Sequence, residues 1–241
     1  MAFTTTYLPE TDSTNRWLRD HGGKDDQLVW TDYQTAGRGC GTNTWESERG
    51  KNLLFSVLLH PKGVAAASQF ILSMANALAL RDTLADYVDG IKIKWPNDIY
   101  WHDKKIAGTL IETTLSGSNI KTCIIGTGLN VNQTAFHSDA PNPVSLCQIL
   151  GHEVDRQEVL QKMMQHLAKY IDWLNFGAQI PIRTLYRFSL YRRGETHRYR
   201  FTDGKEEECL LMDVDDDGHL VLQRASGEVS HLAFKEVSFI I

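Results

Sequence analysis

Ile91-Lys92-Ile93-Lys94-Trp95-Pro96-Asn97-Asp98-Ile99-Tyr100-Trp101, continued by His102-Asp103-Lys104-Lys105-Ile106-Ala107-Gly108, decides how this chain folds. Ile91 to Trp95 and Ile99 to Trp101 have the β-branched and aromatic texture of short strands, and Pro96 fixes the link between them. Proline also restricts the residue before it, so Asn97 and Asp98 are held at a strand edge. Two further strands follow, Ile106 to Thr114 and Ile120 to Val131, with Ser116-Gly117-Ser118-Asn119 between them as a hairpin turn. A lysine at the head of the apolar run Ile106-Ala107-Gly108 needs an anionic partner, since an unpaired buried charge is costly.

Upstream, Leu28 to Tyr33 reads as a strand running into the loop Gln34-Thr35-Ala36-Gly37-Arg38-Gly39. Asp12-Ser13-Thr14-Asn15 opens a short capped helix that Gly22-Gly23 closes. In Asn52 to Leu59 the alternation of Leu53, Phe55, Val57 and Leu59 predicts a half-buried strand. Ile71, Met74, Ala75, Leu78, Ala85 and Val88 recur with helical period over Ser68 to Val88, and Gly90 ends that helix. Asp155 to Glu158 has capping-box spacing before the stripe Leu160, Met163, Met164, Leu167, Ile171 and Leu174, a core face and not a cofactor box.

After Arg193-Gly194 the texture changes. Short alternating segments, Tyr199-Phe201, Leu210-Met212, Leu220-Leu222 and Val237-Phe239, are separated by Asp203-Gly204, Asp217-Gly218 and Ser226-Gly227. The expected fold class is therefore α+β: a mixed sheet flanked by helices over residues 1–190, and a small C-terminal SH3-like β-barrel over 191–241.

The chain has 241 residues, 42% of them hydrophobic, and a net charge of -5. One large domain with a small appendage fits that length. A net negative charge argues against affinity built on neutralising nucleic-acid phosphates. The four cysteines, Cys40, Cys123, Cys147 and Cys209, form no CxxC pair and read as free thiols in a reducing cytoplasm. Met1 to Tyr7 lacks the basic start and apolar run of a signal peptide, and no apolar stretch reaches membrane-spanning length. Nine histidines show neither HxH nor HExxH spacing, so no protein-bound metal is expected.

Gly37-Arg38-Gly39 lets the backbone approach a ligand while the guanidinium offers a planar fork to a carboxylate or phosphate. It is no dinucleotide fingerprint, because a loop and a strand follow where that motif needs a helix. Gly126-Thr127-Gly128-Leu129-Asn130 fails the same test, with Pro141 and Pro143 soon after it. With Lys94, Asp98 and Lys105 these segments supply cations, bare amides and a fixed carboxylate, the parts that nucleotide-activating chemistry uses.

In order and spacing, Asp12-Ser13-Thr14-Asn15, Gln34 to Gly39, Asn43-Thr44-Trp45, Lys94 to Asp98, Lys105 to Gly108 and Gly126 to Asn130 resemble the biotin protein ligases. The lipoate ligases share that superfamily's fold without the Lys-Trp-Pro-Asn-Asp block. The resemblance implies a catalytic domain like that of class II aminoacyl-tRNA synthetases, with biotin, ATP and Mg²⁺ as substrates and no resident metal. It implies formation of biotinyl-5'-AMP and transfer of biotin to a lysine of a biotin carboxyl carrier protein.

By matched positions, Ser13, Thr14, Asn15 and Gln34 would bind the biotin ring, with Gly37, Gly39 and Gly108 giving close backbone approach. Arg38 and Lys105 would address the carboxylate and the α-phosphate. Trp45 would stack on adenine, and Cys40, Lys94, Asn97 and Asn130 would line the nucleotide site. Asp98 would handle the incoming lysine as base or orienting group. A lipoate or octanoate ligase or transferase, and a non-catalytic biotin sensor, are the alternatives. Few residues precede the first strand, so no DNA-binding module is expected, and a homodimer through a sheet edge is an option that relatives offer.

One departure stands in the Arg38 loop. The family pattern usually has a further basic residue or a glutamine and a glycine before Asn-x-Trp, and Cys40-Gly41-Thr42 fills those places here. The lost cation should weaken the hold on the adenylate phosphate, so Cys40→Arg is expected to slow adenylate release.

Overall fold

A computed structural model describes residues 3–138, 140 and 142–241. Met1, Ala2 and Pro141, which entered the readings above, lie outside the described residues. Seven strands form the larger sheet: β1 (Thr4–Leu8), β2 (Gln27–Thr31), β3 (Leu53–Leu59), β4 (Ile91–Lys94), β5 (Asp98–Trp101), β6 (Lys104–Ser116) and β7 (Asn119–Leu129). Their order is β1-β2-β3-β7-β6-β5-β4, with β1 parallel to β2 and every other pair antiparallel. The expected hairpin pairs Ser116 with Asn119 around Gly117 and Ser118.

Helix α1 (Thr14–His21) lies over β2, β3 and β7, and covers a small cluster of Leu18, Val29, Leu58 and Ile124. Helix α2 (Phe70–Ala85) packs with β4 and β5 and is covered by α4 (Arg156–Asn175) and α5 (Gln179–Phe188). This two-sided cover corrects two expectations. All seven residues of β3 are buried, and α2 is buried on every face from Ile71 to Leu80. A strand in mid-sheet with helices on both faces has no solvent side, so alternation misread Ser56 as an outward residue.

Caps differ from expectation as well. Asp155 accepts a hydrogen bond from Gln157 N and forms no reciprocal box, whereas Ser145 and Gln148 form a complete one at α3 (Leu146–Leu150). Ser13 occupies the N-cap of α1 without a side-chain capping bond.

The second sheet has the order β11-β10-β9-β8-β12 and is wholly antiparallel. Its strands are β8 (Thr196–Phe201), β9 (Glu206–Val214), β10 (Leu220–Arg224), β11 (Val229–Leu232) and β12 (Val237–Phe239). This is the small C-terminal β unit that was expected, seen as a five-stranded sheet; among the described residues no ladder joins β11 to β12.

The two sheets are stapled. Trp95 Nε1 donates to Gly218 O at 2.8 Å, and a Cβ at Gly218 would stand 2.5 Å from the Phe70 ring. Arg187 Nε donates to Val214 O at 2.8 Å. One apolar core runs through both sheets, from Leu53 and Ile99 to Leu211 and Leu222. No described helix is long and apolar enough to cross a membrane.

Candidate active site

The cleft between the sheets has a volume of about 890 Å³, within the roughly 300–1,000 Å³ usual for small-molecule sites. Its lining gathers Ser13, Thr14, Asn15, Gln34, Arg38, Gly39, Cys40, Trp45, Lys94, Asn97, Asp98, Lys105, Gly108 and Asn130. Gly37 alone of the expected residues is outside it. Its carbonyl accepts from Trp45 N at 3.1 Å, and a Cβ there would stand 2.7 Å from Trp45 O, so its place is in loop packing.

The head of α1 makes one end. Thr14 N and Thr14 Oγ1 both donate to Gln34 Oε1, at 2.8 and 3.0 Å. Asn15 Nδ2 donates to Glu112 Oε2 at 3.1 Å and to Leu110 O at 3.4 Å, which fixes its amide with Oδ1 towards Ser56. Ser56 Oγ lies 2.6 Å from both Asn15 Oδ1 and Thr14 Oγ1. Two hydroxyl hydrogens therefore serve three oxygen–oxygen contacts, and the cluster is short of a donor. Asn15 Oδ1 has a second lone pair besides the one that Ser56 addresses.

Gly126 makes this arrangement sterically possible, because a Cβ on it would overlap the Asn15 amide. Gly128 does the same for Trp45, whose indole fills the space a Cβ would need and also stands 3.0 Å from the Cβ position of Gly108. Trp45 Nε1 is buried without a hydrogen-bond partner. Gly128→Ala is expected to push the indole off this floor, changing tryptophan fluorescence and weakening nucleotide binding by about tenfold, the scale of one lost base stack. Unaltered fluorescence and ATP affinity would overturn the expected stacking role of Trp45.

The Arg38 loop folds back on itself. Arg38 pairs with Thr44 in an isolated bridge, and Gly39 N donates to Asn43 O at 2.7 Å. Arg38 Nη2 is held by Glu112 Oε1 at 3.1 Å. Glu112 thus joins the loop to Asn15, and neither it nor Ser56 was among the expected site residues. Glu112 is the single charge between Ile106 and Ser116, which was the available signal.

At the other wall the Trp95–Pro96 turn is tied on three sides. Besides Trp95 to Gly218, Tyr186 Oη donates to Pro96 O at 2.7 Å and Asn97 Nδ2 to Ser73 Oγ at 3.2 Å. A bulge between Ile99 and Tyr100 shifts the β5–β6 register, setting Tyr100 opposite Lys105. Lys105 Nζ meets Asp98 Oδ2 at 2.7 Å, the anionic partner its position required.

Lys94 Nζ lies 4.6 Å from the centre of the Phe239 ring and 5.6 Å from that of Tyr100. Burial holds its ammonium below the ordinary lysine pKa, with Asp98 opposing that shift and Lys105 and Arg192 adding to it. Asn130 has its amide committed, Nδ2 to Val144 O at 3.1 Å and Oδ1 to Asn52 Nδ2 at 3.5 Å. Phe234, Lys235, Val237, Ser238 and Phe239 of the second sheet complete the wall. The sequence reading placed none of them in the site.

Among the described residues no group of three or more His, Cys, Asp or Glu side chains could hold a metal ion. The four cysteines are free, Cys40 exposed and the others buried.

This mixed sheet, with three lysines and an arginine in one cleft, is the fold of the protein ligases that handle cofactor acids. The chain belongs to the Biotin/lipoate A/B protein ligase family, whose model matches residues 7–130. Among its relatives, the biotin--[acetyl-CoA-carboxylase] ligase of Paracoccus denitrificans is 33% identical over 230 residues, covering 91% of this chain and 94% of that one. The bifunctional ligase/repressor BirA of Bacillus subtilis is 32% identical over 228 residues, covering 91% of this chain and 68% of that protein. The structure of biotin protein ligase from Aquifex aeolicus in complex with biotin and ATP matches with a TM-score of 0.83 at 25% identity, over 98% of both chains.

Proposed function

We propose that this protein is an ATP-dependent biotin protein ligase that forms biotinyl-5'-AMP and transfers biotin to a lysine of a biotin carboxyl carrier domain. The oxygen-rich cluster of Thr14, Asn15, Gln34 and Ser56 at the end of the cleft carries this reading. Biotin's ureido ring offers N–H groups to such a cluster. The dithiolane of lipoate and the alkyl chain of octanoate offer none, and would bury these polar groups without a new hydrogen bond.

In the first step a biotin carboxylate oxygen attacks the α-phosphorus of ATP, and the bond to pyrophosphate breaks. Arg38 and Lys105 are the cations for that centre. For Arg38 the step requires release from Glu112, and for Lys105 a phosphate oxygen joins or replaces Asp98. Mg²⁺ arrives with ATP, held by phosphate oxygens and water. In the second step the neutral lysine amine attacks the acyl carbon, the C–O bond to AMP breaks, and the proton leaves through Asp98 or water. No enzyme nucleophile takes part. The protein contributes position and charge.

We assign the adenylating site to residues 1–190 and the wall that closes it to residues 191–241, and place the reaction in the cytoplasm. The test is incubation with ATP, Mg²⁺ and radiolabelled biotin, octanoate or lipoate, each with its carrier domain. Label should reach the biotin carrier alone. Labelling only from lipoate or octanoate would overturn the assignment, and tight biotin binding without adenylate would make the protein a sensor.

A further inference from the structure

The tip of the Arg38 loop, Cys40-Gly41-Thr42, carries no cation, yet one stands beside it. Lys235 lies in the turn between β11 and β12, at the rim of the cleft, and its Nζ is 3.1 Å from the position a Cβ on Gly41 would take. The ammonium of a residue in a turn of the second sheet thus stands beside the loop tip. Glu236, its neighbour, is turned to accept from Ala233 N at 2.8 Å, and no described acidic side chain pairs with Lys235.

The backbone holds Lys235 there against its own preference. Its φ is +75°, a left-handed conformation that a residue bearing a Cβ adopts at a cost and glycine adopts freely. A turn with no task for the side chain would be better served by glycine. Lys94, on β4 of the larger sheet, lies against Phe239 and lines the same cleft, so a lysine reaches it from each sheet.

We infer that Lys235 binds a nucleotide phosphate, supplying from the C-terminal sheet the cation that the Arg38 loop lacks at Cys40. This rests on the ATP-using reading of the cleft. Docking of the second sheet and binding of nucleotide then act on the same surface, because the phosphate neutralises a charge carried by that sheet.

Lys235→Gly separates charge from structure, since glycine relieves the backbone while removing the ammonium. Calorimetric titration of the full-length protein with MgATP, with and without biotin, should show affinity lowered about fivefold at low salt. The difference should shrink as salt screens the pair. The variant's Tm should be unchanged or higher, and its biotin affinity should match wild type. Lys235→Arg should keep ATP affinity, and Cys40→Arg added to Lys235→Gly should restore most of it. A role confined to the adenylate would appear as faster adenylate release with ATP affinity unchanged.

If Lys235→Gly raises Tm and leaves both ATP affinity and adenylate release as in wild type, Lys235 is only a turn residue and the inference is overturned. A wild-type protein that binds MgATP through Lys235 but makes no biotinyl-adenylate refutes the proposed reaction and spares the inference. A wild-type protein that binds no nucleotide refutes both.

Discussion

Lys105→Ala should lower biotinyl-adenylate formation by at least about 100-fold, the scale of losing one preorganised charge from a developing anion. The reason lies in how the strand presents the lysine. Lys105 N donates to Asn142 O at 2.8 Å and its carbonyl accepts from Val144 N at 2.9 Å, so the backbone is fixed on a side away from the β5–β6 ladder. The Ile99/Tyr100 bulge then sets the ammonium against Asp98, with only 31% of the lysine side chain exposed. Alanine removes the cation and leaves the Asp98 carboxylate facing the incoming phosphates, so repulsion adds to lost attraction. Pyrophosphate release in a single-turnover assay reads the rate, and Tm should move little. The double variant Lys105→Ala/Asp98→Ala should regain ATP binding without regaining rate. Equal labelling of the carrier by Lys105→Ala and wild type would refute the role.

Gly126→Ala should weaken biotin binding by about 10- to 100-fold, the cost of leaving one or two buried polar groups without their partners. The strand itself tolerates alanine. The obstacle is Asn15, whose Nδ2 lies 3.1 Å from the new Cβ position and whose Oδ1 and Cγ lie closer still. To make room Asn15 must give up Ser56, Glu112 and Leu110 O together. ATP affinity should stay within about threefold, because the damage is confined to the head of α1. Calorimetric titration separates the two ligands, and a biotin affinity equal to wild type would show that Asn15 does not face the ring.

Much of this was written locally. The strands from Ile91 to Leu129, the α2 and α4 helices and the Asp-Gly and Ser-Gly turns of the second sheet follow from alternation, period and turn chemistry. Most of the residues quoted in motifs converge on one cleft, from the start of α1, the Arg38 loop, the β4–β5 turn and the facing strands β6 and β7.

What escaped is tertiary. Ser56 reads as an outward residue until β3 is seen to have helices on both faces. Glu112 gains meaning only through its hydrogen bonds to Arg38 and Asn15, far away in sequence. Lys235 belongs to the site because the second sheet docks on Trp95 and Phe70, a contact that no periodicity announces. Asn130 shows the converse, a residue that lines the cleft but whose side chain is occupied in holding Val144 and Asn52.

The bond from Trp95 to Gly218 joins a residue next to Lys94 to the sheet that carries Lys235 and Phe239. A ligand lying in that seam touches both sheets at once, so its binding energy is added to the cohesion of the whole chain and not to one half. Melting should therefore remain a single transition that moves upward as a unit when the cleft is filled. The C-terminal sheet is in that sense part of the lock's casing: losing its grip would be felt first as lost affinity and only afterwards as unfolding.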